Sequence, residues 1–330
     1  MQNNPKETEV SGLLRIAICI GTFQRLQQLQ KLLLGLGQLE FRKVKCPEIE
    51  VIVVDNDASK SAESVCKLRG FPWTIRYVCE PCRGIARVRN RAIAEAEGAE
   101  FLAFIDDDEL PAPQWLDELL WTQTQFQADA VSGSVLPTFS PDVPAWIKTG
   151  RFFNRPNFST GEAVEMCSTN NVLIRHDTLR SVPTFDEQFN LTGGEDTHYF
   201  LRVRRLGFSM VASCEAIVYE FISEGRANTE WILRRGYQCG NSWALCEHSL
   251  DPRLRIAILR CCKALVHMFW GVLRLIPSLL SGKAEIVSSL RKICLGAGML
   301  TGAMGHRFLP YRNVGLKSVK KPAPAGTQAL

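Results

Sequence analysis

Three apolar runs in the first third of the chain limit what it can fold into. "LLRIAICI" (13–20), "IEVIVVDND" (49–57) and "FLAFID" (101–106) are nearly continuous in Ile, Val, Leu and Phe until they reach an acid or a glycine. A strand with one wet face alternates apolar and polar residues; a strand covered on both faces does not. "TIRYVCE" (74–80) reads as a further strand. Between these runs lie three segments with helical character: "FQRLQQLQKLLLGL", the short glycine-closed "SAESVCKLRG", and "GIARVRNRAIAEAEGAE" (84–100). The pattern continues with a helix at 112–127, a strand at 128–135, a strand then a helix at 170–180, a helix at 193–207, a strand pair at 208–220 and a helix at 228–248. Residues 136–170, with four prolines, read as irregular. Strands alternating with helices predict an α/β domain with a mainly parallel central sheet covered on both faces.

Ligands of open α/β sheets bind outside the carboxyl ends of the strands. Those ends here carry Thr22, Asp55 with Asp57, Glu80, and Asp106, Asp107 and Asp108. Clustered carboxylates repel, and a hard divalent cation shared with phosphate oxygens is the usual compensation. A helix N-cap before "ELPAPQW" explains one aspartate and leaves two unexplained. "DNDAS" is a good Asx-turn sequence, so Asp57 reads as a turn residue or a support. "CRGIARVRNRA" crowds Arg83, Arg87, Arg89 and Arg91 at a glycine-opened helix start, a suitable place for a diphosphate. Arg87 and Arg91 share one helical face and Arg89 lies on another, so the four do not converge on one ligand. In "GGED" (193–196) the acids suit a helix start, while two glycines permit close approach of a ligand. Cys79 and Cys82 have no second pair at zinc-site spacing, and His176, His198 and His248 stand isolated; of the three, His198, two residues past Asp196, is the one to test.

The ordered set "GTFQR", "VVDND", "RGIARVRNRA", "IDDDELP" and "GGED", spread over roughly residues 13–250, resembles family 2 glycosyltransferases, which have the GT-A nucleotide-diphospho-sugar transferase fold. "STNNVLIR" and "GGEDTHYFLR" resemble bacterial exopolysaccharide glucosyltransferases of the succinoglycan type. That resemblance implies that Thr22, Arg25 and Asp55 hold the nucleotide and that Arg89, with Arg83, meets the diphosphate. It makes Asp106 and Asp108 the two acids of a DXD motif that binds Mg²⁺ or Mn²⁺, with Asp107 at the variable middle position. It makes Asp196 the general base of an inverting transfer, with Glu195 contacting or orienting the acceptor. The implied reaction moves one sugar, glucose from UDP-glucose, onto a lipid-linked saccharide in cell-surface glycan synthesis. Processive relatives carry Gln-x-x-Arg-Trp in a later helix; "TEWILRRGYQCGN" has Trp231, Arg234 and Arg235 in another order, which implies single-sugar transfer. A non-catalytic sugar-nucleotide-binding protein on the same scaffold is the alternative, with both acidic motifs intact against it. A nucleotidyltransferase would carry a glycine-rich basic loop after the first strand, which "GTFQRLQQL" lacks.

Charge divides the chain. The net charge of +5 combines about −6 before Asp251 with about +11 after it, where 13 Lys or Arg face only Asp251 and Glu285. Such asymmetry points to an acidic surface as partner. "RIAILRCCKALVHMFWGVLRLIPSLL" (255–280) is very apolar, yet Arg260, Lys263, His267 and Arg274 recur at helical spacing. Mid-span cations are costly. The expectation is therefore an interfacial amphipathic helix, basic face toward anionic headgroups, with "LGAGMLTGAMG" (295–305) packed against it through small residues; a buried helical hairpin or a true span is the alternative. The expected organisation is an N-terminal tail (1–12), a transferase domain (13–250), a basic helical membrane-associating region (251–310) and a disordered tail (311–330). No signal-peptide pattern opens the sequence and the 12 cysteines are scattered, which reads as a protein at the cytoplasmic face of the membrane, peripheral or monotopic, with no nucleic-acid partner.

Overall fold

A computed structural model describes residues 13–310; the expected tails 1–12 and 311–330 lie outside the described residues. The chain begins with β1 (Arg15–Thr22), α1 (Leu26–Leu36), β2 (Glu48–Asp55), β3 (Thr74–Cys79), α2 (Ile85–Glu95) and β4 (Phe101–Ile105). It continues with β5 (Glu109–Pro111), α3 (Trp115–Phe126), β6 (Ala130–Phe139), α4 (Ala145–Thr149), β7 (Asn171–Arg175) and α5 (His176–Ser181). Then follow α6 (Glu195–Arg205), β8 (Met210–Ile222), α7 (Thr229–Leu250), α8 (Leu254–Ser281) and α9 (Lys283–Ala303).

One eight-stranded sheet has the order β3-β2-β1-β4-β7-β6-β8-β5. β1 pairs in parallel with β2 and β4, and β2 with β3; β7 runs antiparallel between β4 and β6; β6 and β8 are parallel. The chain winds from β1 outward to β2 and β3, then returns to the other side of β1 as β4. That reversal opens a crevice at the carboxyl ends of β1 and β4.

The continuous apolar strands divide their side chains between two cores. Ile16, Ile18 and Ile20 of β1 and Phe101, Ala103 and Ile105 of β4 pack with Leu29, Leu32, Leu33 and Leu36 of α1 and with Trp115 and Leu119 of α3. Ala17 and Cys19, with Leu102 and Phe104, pack on the opposite face with Ala86, Val88 and Ala92 of α2 and Tyr199, Phe200 and Val203 of α6. Burial of each large apolar side chain contributes about 1.5–3 kcal/mol. A Leu32→Ala cavity between α1 and the sheet would cost about 2–5 kcal/mol.

Several local expectations change. "SAESVCKLRG" forms turns rather than a helix: Glu63 N–H donates to the Lys60 carbonyl and Val65 N–H to that of Ala62, at three-residue spacing. Asp55 draws the Ala62 N–H to its carboxylate at 2.8 Å, which takes that donor out of any helical ladder. The expected strand pair at 208–220 is one strand, β8, whose register against β6 shifts between Gly133 and Ser134. The polar "SCE" inside it marks this irregularity and not a turn. The irregular 136–170 stretch begins with the last residues of β6 and contains α4.

The C-terminal helices differ in kind. α9 lies between α7 and α8. An added Cβ at Gly298 would strike the Tyr237 carbonyl of α7, and one at Gly296 would meet the Ala264 carbonyl of α8 at 2.6 Å. The small residues expected to meet α8 therefore meet both neighbours. The expected basic face is corrected as well. Arg260 is buried, turned inward onto Glu247 of α7, in line with Ala264, Gly271 and Ser278. Arg274 pairs with Glu285 of α9 at 3.4 Å. Facing outward instead are Leu265, Val266, Phe269, Trp270, Leu273 and Ile276. α8 is long and apolar enough to cross a membrane, with 28 residues and a mean hydropathy of 1.6 in its most apolar window.

Candidate active site

The crevice begins at the end of β1. After Thr22 the chain turns through Gln24, at φ +53°, and Arg25 precedes α1. A non-glycine residue in this left-handed region costs about 1 kcal/mol. The turn is held by Gln24, which donates to Asp57 at 3.2 Å. It aims Arg25 at the end of β4: the guanidinium lies 2.8 Å from Asp107 and 3.1 Å from Asp108.

The three aspartates have three environments. Asp107 is buried and accepts from the Thr22 hydroxyl at 2.8 Å as well as from Arg25. It locks the β1 and β4 ends together, so Thr22 and Asp107 support the site from beneath. Burial pushes the Asp107 pKa up, against the pull of Arg25 and Thr22. Asp108 lies between Arg25 and Arg226, the latter at 3.5 Å. Asp106 opens to the crevice with 46% of its side chain accessible, and Arg89 reaches to within 3.8 Å. Protein crowds it on its other sides. That desolvation, with the charges of Asp108 and Asp107, outweighs Arg89 and Arg25 and pushes its pKa up to about 7.

Behind them sits Glu109, buried in β5. Asn170 donates to it at 2.8 Å, and it accepts from the Asp106 N–H at 3.2 Å. Burial and neighbouring Asp106 and Glu220 raise its pKa well above the usual carboxylate range. Sequence reasoning missed Glu109, Asn170, Glu220 and Arg226. Glu109 follows the aspartates directly and could have been found as the next acid; Arg226 in "SEGRANTEW" belongs to no visible pattern.

The opposite wall comes from α2 and α6. Arg89 is buried and ion-pairs with Glu195, tying the two helices together. Burial lowers its pKa, but Glu195, Asp106 and Asp196 outweigh this and hold it up. Glu195, buried, is pushed up by desolvation despite Arg89, and its Oε2 has no hydrogen-bond partner. Asp196 accepts from the Ser168 hydroxyl at 2.9 Å. The preceding glycines adopt φ +71° and +93°, conformations that disfavour side chains. A Cβ on Gly194 would lie 3.0 Å from Ser242 Cβ of α7. His198 is packed 4.9 Å from the Phe189 ring, and burial lowers its pKa to about 4.

Other expected residues stand apart from this cluster. Asp55 is fully enclosed, accepting from Tyr77 at 2.9 Å, Asp57 N–H at 3.0 Å and Ala62 N–H at 2.8 Å; it shapes the β2 turn. Arg83 lies over the Phe23 ring at 3.2 Å, and burial lowers its pKa. The start of α2 is not a free anion site: Asn190 Oδ1 accepts the Ala86 and Arg87 N–H groups at 3.0 and 3.2 Å, and Asn56 accepts Gly84 N–H at 3.0 Å. Arg87 pairs with Glu187 and Arg91 with Glu95, both away from the aspartates.

Among the described residues no three His, Cys, Asp or Glu side chains form a ready metal-ligand group. Mg²⁺ needs less, since one or two carboxylates suffice when water and substrate phosphates complete the shell. Asp106, accessible on one side and raised by desolvation and by its neighbours Asp108 and Asp107, and the partly exposed Asp108 fit that donor set.

Comparison with known proteins agrees with this architecture. The family model described as glycosyl transferase family 2 matches residues 17–182, half of the chain. The succinoglycan biosynthesis protein ExoM of Rhizobium meliloti (strain 1021) is 35% identical over 198 residues, 59% of this chain and 63% of that protein. Glycosyltransferase AglE of Haloferax volcanii is 24% identical over 204 residues, 61% of this chain and 65% of that protein. The chain thus matches less than two thirds of either relative's own length. The mannosyltransferase PcManGT from Pyrobaculum calidifontis, solved with GDP-Man and Mn²⁺, superposes with a TM-score of 0.59 at 16% identity, covering 89% of this chain and 88% of that one. S. aureus TarS 1-349 in complex with UDP gives 0.50 at 16% identity, covering 89% and 92%. These structures share the GT-A-like fold.

Proposed function

The chain belongs to glycosyl transferase family 2 and is a glycosyltransferase, and from that premise we propose that it transfers a single sugar with inversion from a nucleoside-diphosphate sugar, UDP-glucose, to a lipid-linked saccharide. The observation that carries the reading is the meeting of Asp106, Asp108, Arg25, Arg89 and the Glu195–Asp196 helix start at one crevice. The solved GT-A-like proteins with UDP or GDP-Man support a nucleotide-sugar donor, and the relative named for succinoglycan biosynthesis supports a role in exopolysaccharide or other cell-surface glycan synthesis.

In this reading the donor diphosphate lies over Asp106 and Asp108, flanked by Arg25 and Arg89. A divalent ion, Mg²⁺ or Mn²⁺, held by Asp106 and Asp108, supplies positive charge to the phosphates when bound. Asp196 takes the proton of the acceptor hydroxyl as its oxygen bonds to the anomeric carbon. The bond from that carbon to the phosphate oxygen breaks on the opposite face, and the nucleoside diphosphate leaves with the electron pair. Ser168 orients the Asp196 carboxylate. Arg89 holds Glu195 in place, so Glu195 shapes the acceptor side.

The outward apolar face of α8 supports membrane association, which in this reading is at the cytoplasmic face beside the lipid-linked acceptor. Its 28 residues span about 42 Å, more than the hydrocarbon core of about 30 Å. The exposed cation Lys263 favours an interfacial position at an anionic membrane surface over a span. A transfer assay on membranes, with labelled UDP-sugars, tests the reading. Release of UDP with label in the lipid fraction supports it; release of pyrophosphate, or no transfer from any nucleotide sugar, refutes it.

A further inference from the structure

Arg226 lies outside every sequence motif, in the turn between β8 and α7. The turn is tight: Arg226 and Ala227 both donate backbone N–H to the Ser223 carbonyl, at 2.9 and 3.0 Å. The side chain reaches back across 118 residues to Asp108, while its other terminal nitrogen holds Glu220. The guanidinium lies 5.0 Å from the Trp231 ring and 5.9 Å from that of Phe153, and those two rings stack at 5.4 Å. Its Nε is buried with no hydrogen-bond partner.

The Oδ2 of Asp108 is therefore shared by two arginines that come from different strand ends. Arg25 arrives from the end of β1 at 3.1 Å, and Arg226 arrives from the end of β8 at 3.5 Å. The longer contact exceeds the 2.7–2.9 Å of a tight charged hydrogen bond, so Arg226 holds Asp108 loosely. Its anchor is the Glu220 pair and the aromatic stack, which orient the planar head and leave Nη1 and Nε without tight partners.

We propose that Arg226 is a ligand of the donor's diphosphate, closing with Arg25 a two-arginine clamp over Asp108. The inference rests on the nucleoside-diphosphate-sugar reading given above. Once Asp108 has a divalent cation, the guanidinium and the cation repel each other. Phosphate oxygens of the donor are then the acceptors left for its Nη1, while Nη2 stays on Glu220. Negative charge grows on the leaving diphosphate as the glycosidic bond to phosphate breaks. A fixed guanidinium at that point stabilises it without reorganisation.

Titration calorimetry on the full chain with Mn²⁺ tests this, using UDP against uridine, with GDP against guanosine in parallel. Arg226→Ala should weaken the nucleoside diphosphate by about 10- to 100-fold, the scale of a charged hydrogen bond, and leave the nucleoside within about twofold. Arg226→Lys keeps the charge over the aromatic pair, guards against misfolding of the alanine variant, and should show a smaller loss of the same kind. Unchanged diphosphate affinity in both variants overturns the proposal. A parallel loss for nucleoside and diphosphate overturns it as well, because that marks a structural role. If the wild type binds no nucleoside diphosphate, the donor reading itself falls.

Discussion

The crevice at the sheet and the outer face of α8 invert the usual distribution of side chains in opposite ways. At the crevice, Asp106, Asp107, Asp108, Glu109, Glu195 and Arg89 are gathered among protein, where charge is expensive. On α8, Phe269, Trp270, Leu273 and Ile276 are presented outward, where apolar surface is expensive. In the proposed function a cation and a diphosphate would compensate the first arrangement, and lipid the second. The lesson is that each region has the chemistry of its partner written in what it fails to satisfy by itself. The raised carboxylate pKa values report desolvation and crowded negative charge, and the outer face of α8 reports apolar surface that this chain leaves uncovered.

The largest expected effect lies at the crevice. Asp196→Asn should lower transfer by about 10²- to 10⁴-fold, the range of general-base catalysis, while nucleotide binding measured by calorimetry stays as it was. Retained turnover would remove Asp196 from the mechanism. Asp108→Ala should erase most of the metal dependence of nucleotide binding, a loss of about tenfold or more. Unchanged metal dependence would detach the aspartates from any cation.

On α8, the double change Phe269→Glu with Trp270→Glu should cut co-sedimentation with phosphatidylglycerol-containing vesicles by about tenfold or more and leave nucleotide binding intact. Full retention on vesicles would mean that lipid is not what covers this face. Arg260→Ala should destabilise the helical region by about 1–3 kcal/mol, read by denaturant melts, because it strands Glu247. No change would put Arg260 back on the outer face.

The smallest effect sharpens the electrostatic side. Asp106 has a folded-state pKa of about 7 against an ordinary 3.8, so between those values the folded chain binds more protons than the unfolded one. The stability owed to this group therefore falls as pH rises through that window. Asp106→Asn, without added metal, should raise the melting temperature at pH 8 by on the order of 2 °C and leave it nearly unchanged at pH 4. A lower melting temperature at pH 8 would contradict the crowded-charge account.

The strands that build the crevice were legible because Ile16 to Ile20 and Phe101 to Ile105 are apolar at every position, which only two-sided cover explains. The acids were legible because they stand where those strands stop. Pairings were not. Thr22 meets Asp107 across 85 residues and Arg89 meets Glu195 across 106, and nothing local encodes such contacts. Asp55 shows the complementary failure: a strand-end aspartate is placed correctly by pattern, but its complete enclosure depends on Tyr77 and Ala62 from other segments. The face of α8 was misread for a related reason. Helical spacing grouped Arg260 with Lys263, His267 and Arg274, but spacing does not say which side a neighbour will cover, and α9 and α7 cover the side with Arg260.

The central claim is that the crevice binds a nucleoside-diphosphate sugar through its strand-end aspartates. Calorimetric titration of the full chain with UDP-glucose, UDP-galactose, UDP-N-acetylglucosamine and GDP-mannose, each with and without Mn²⁺, tests it most directly. The account predicts binding of UDP-glucose with Mn²⁺ and little binding without it. No binding of any of the four sugars under either condition would contradict it.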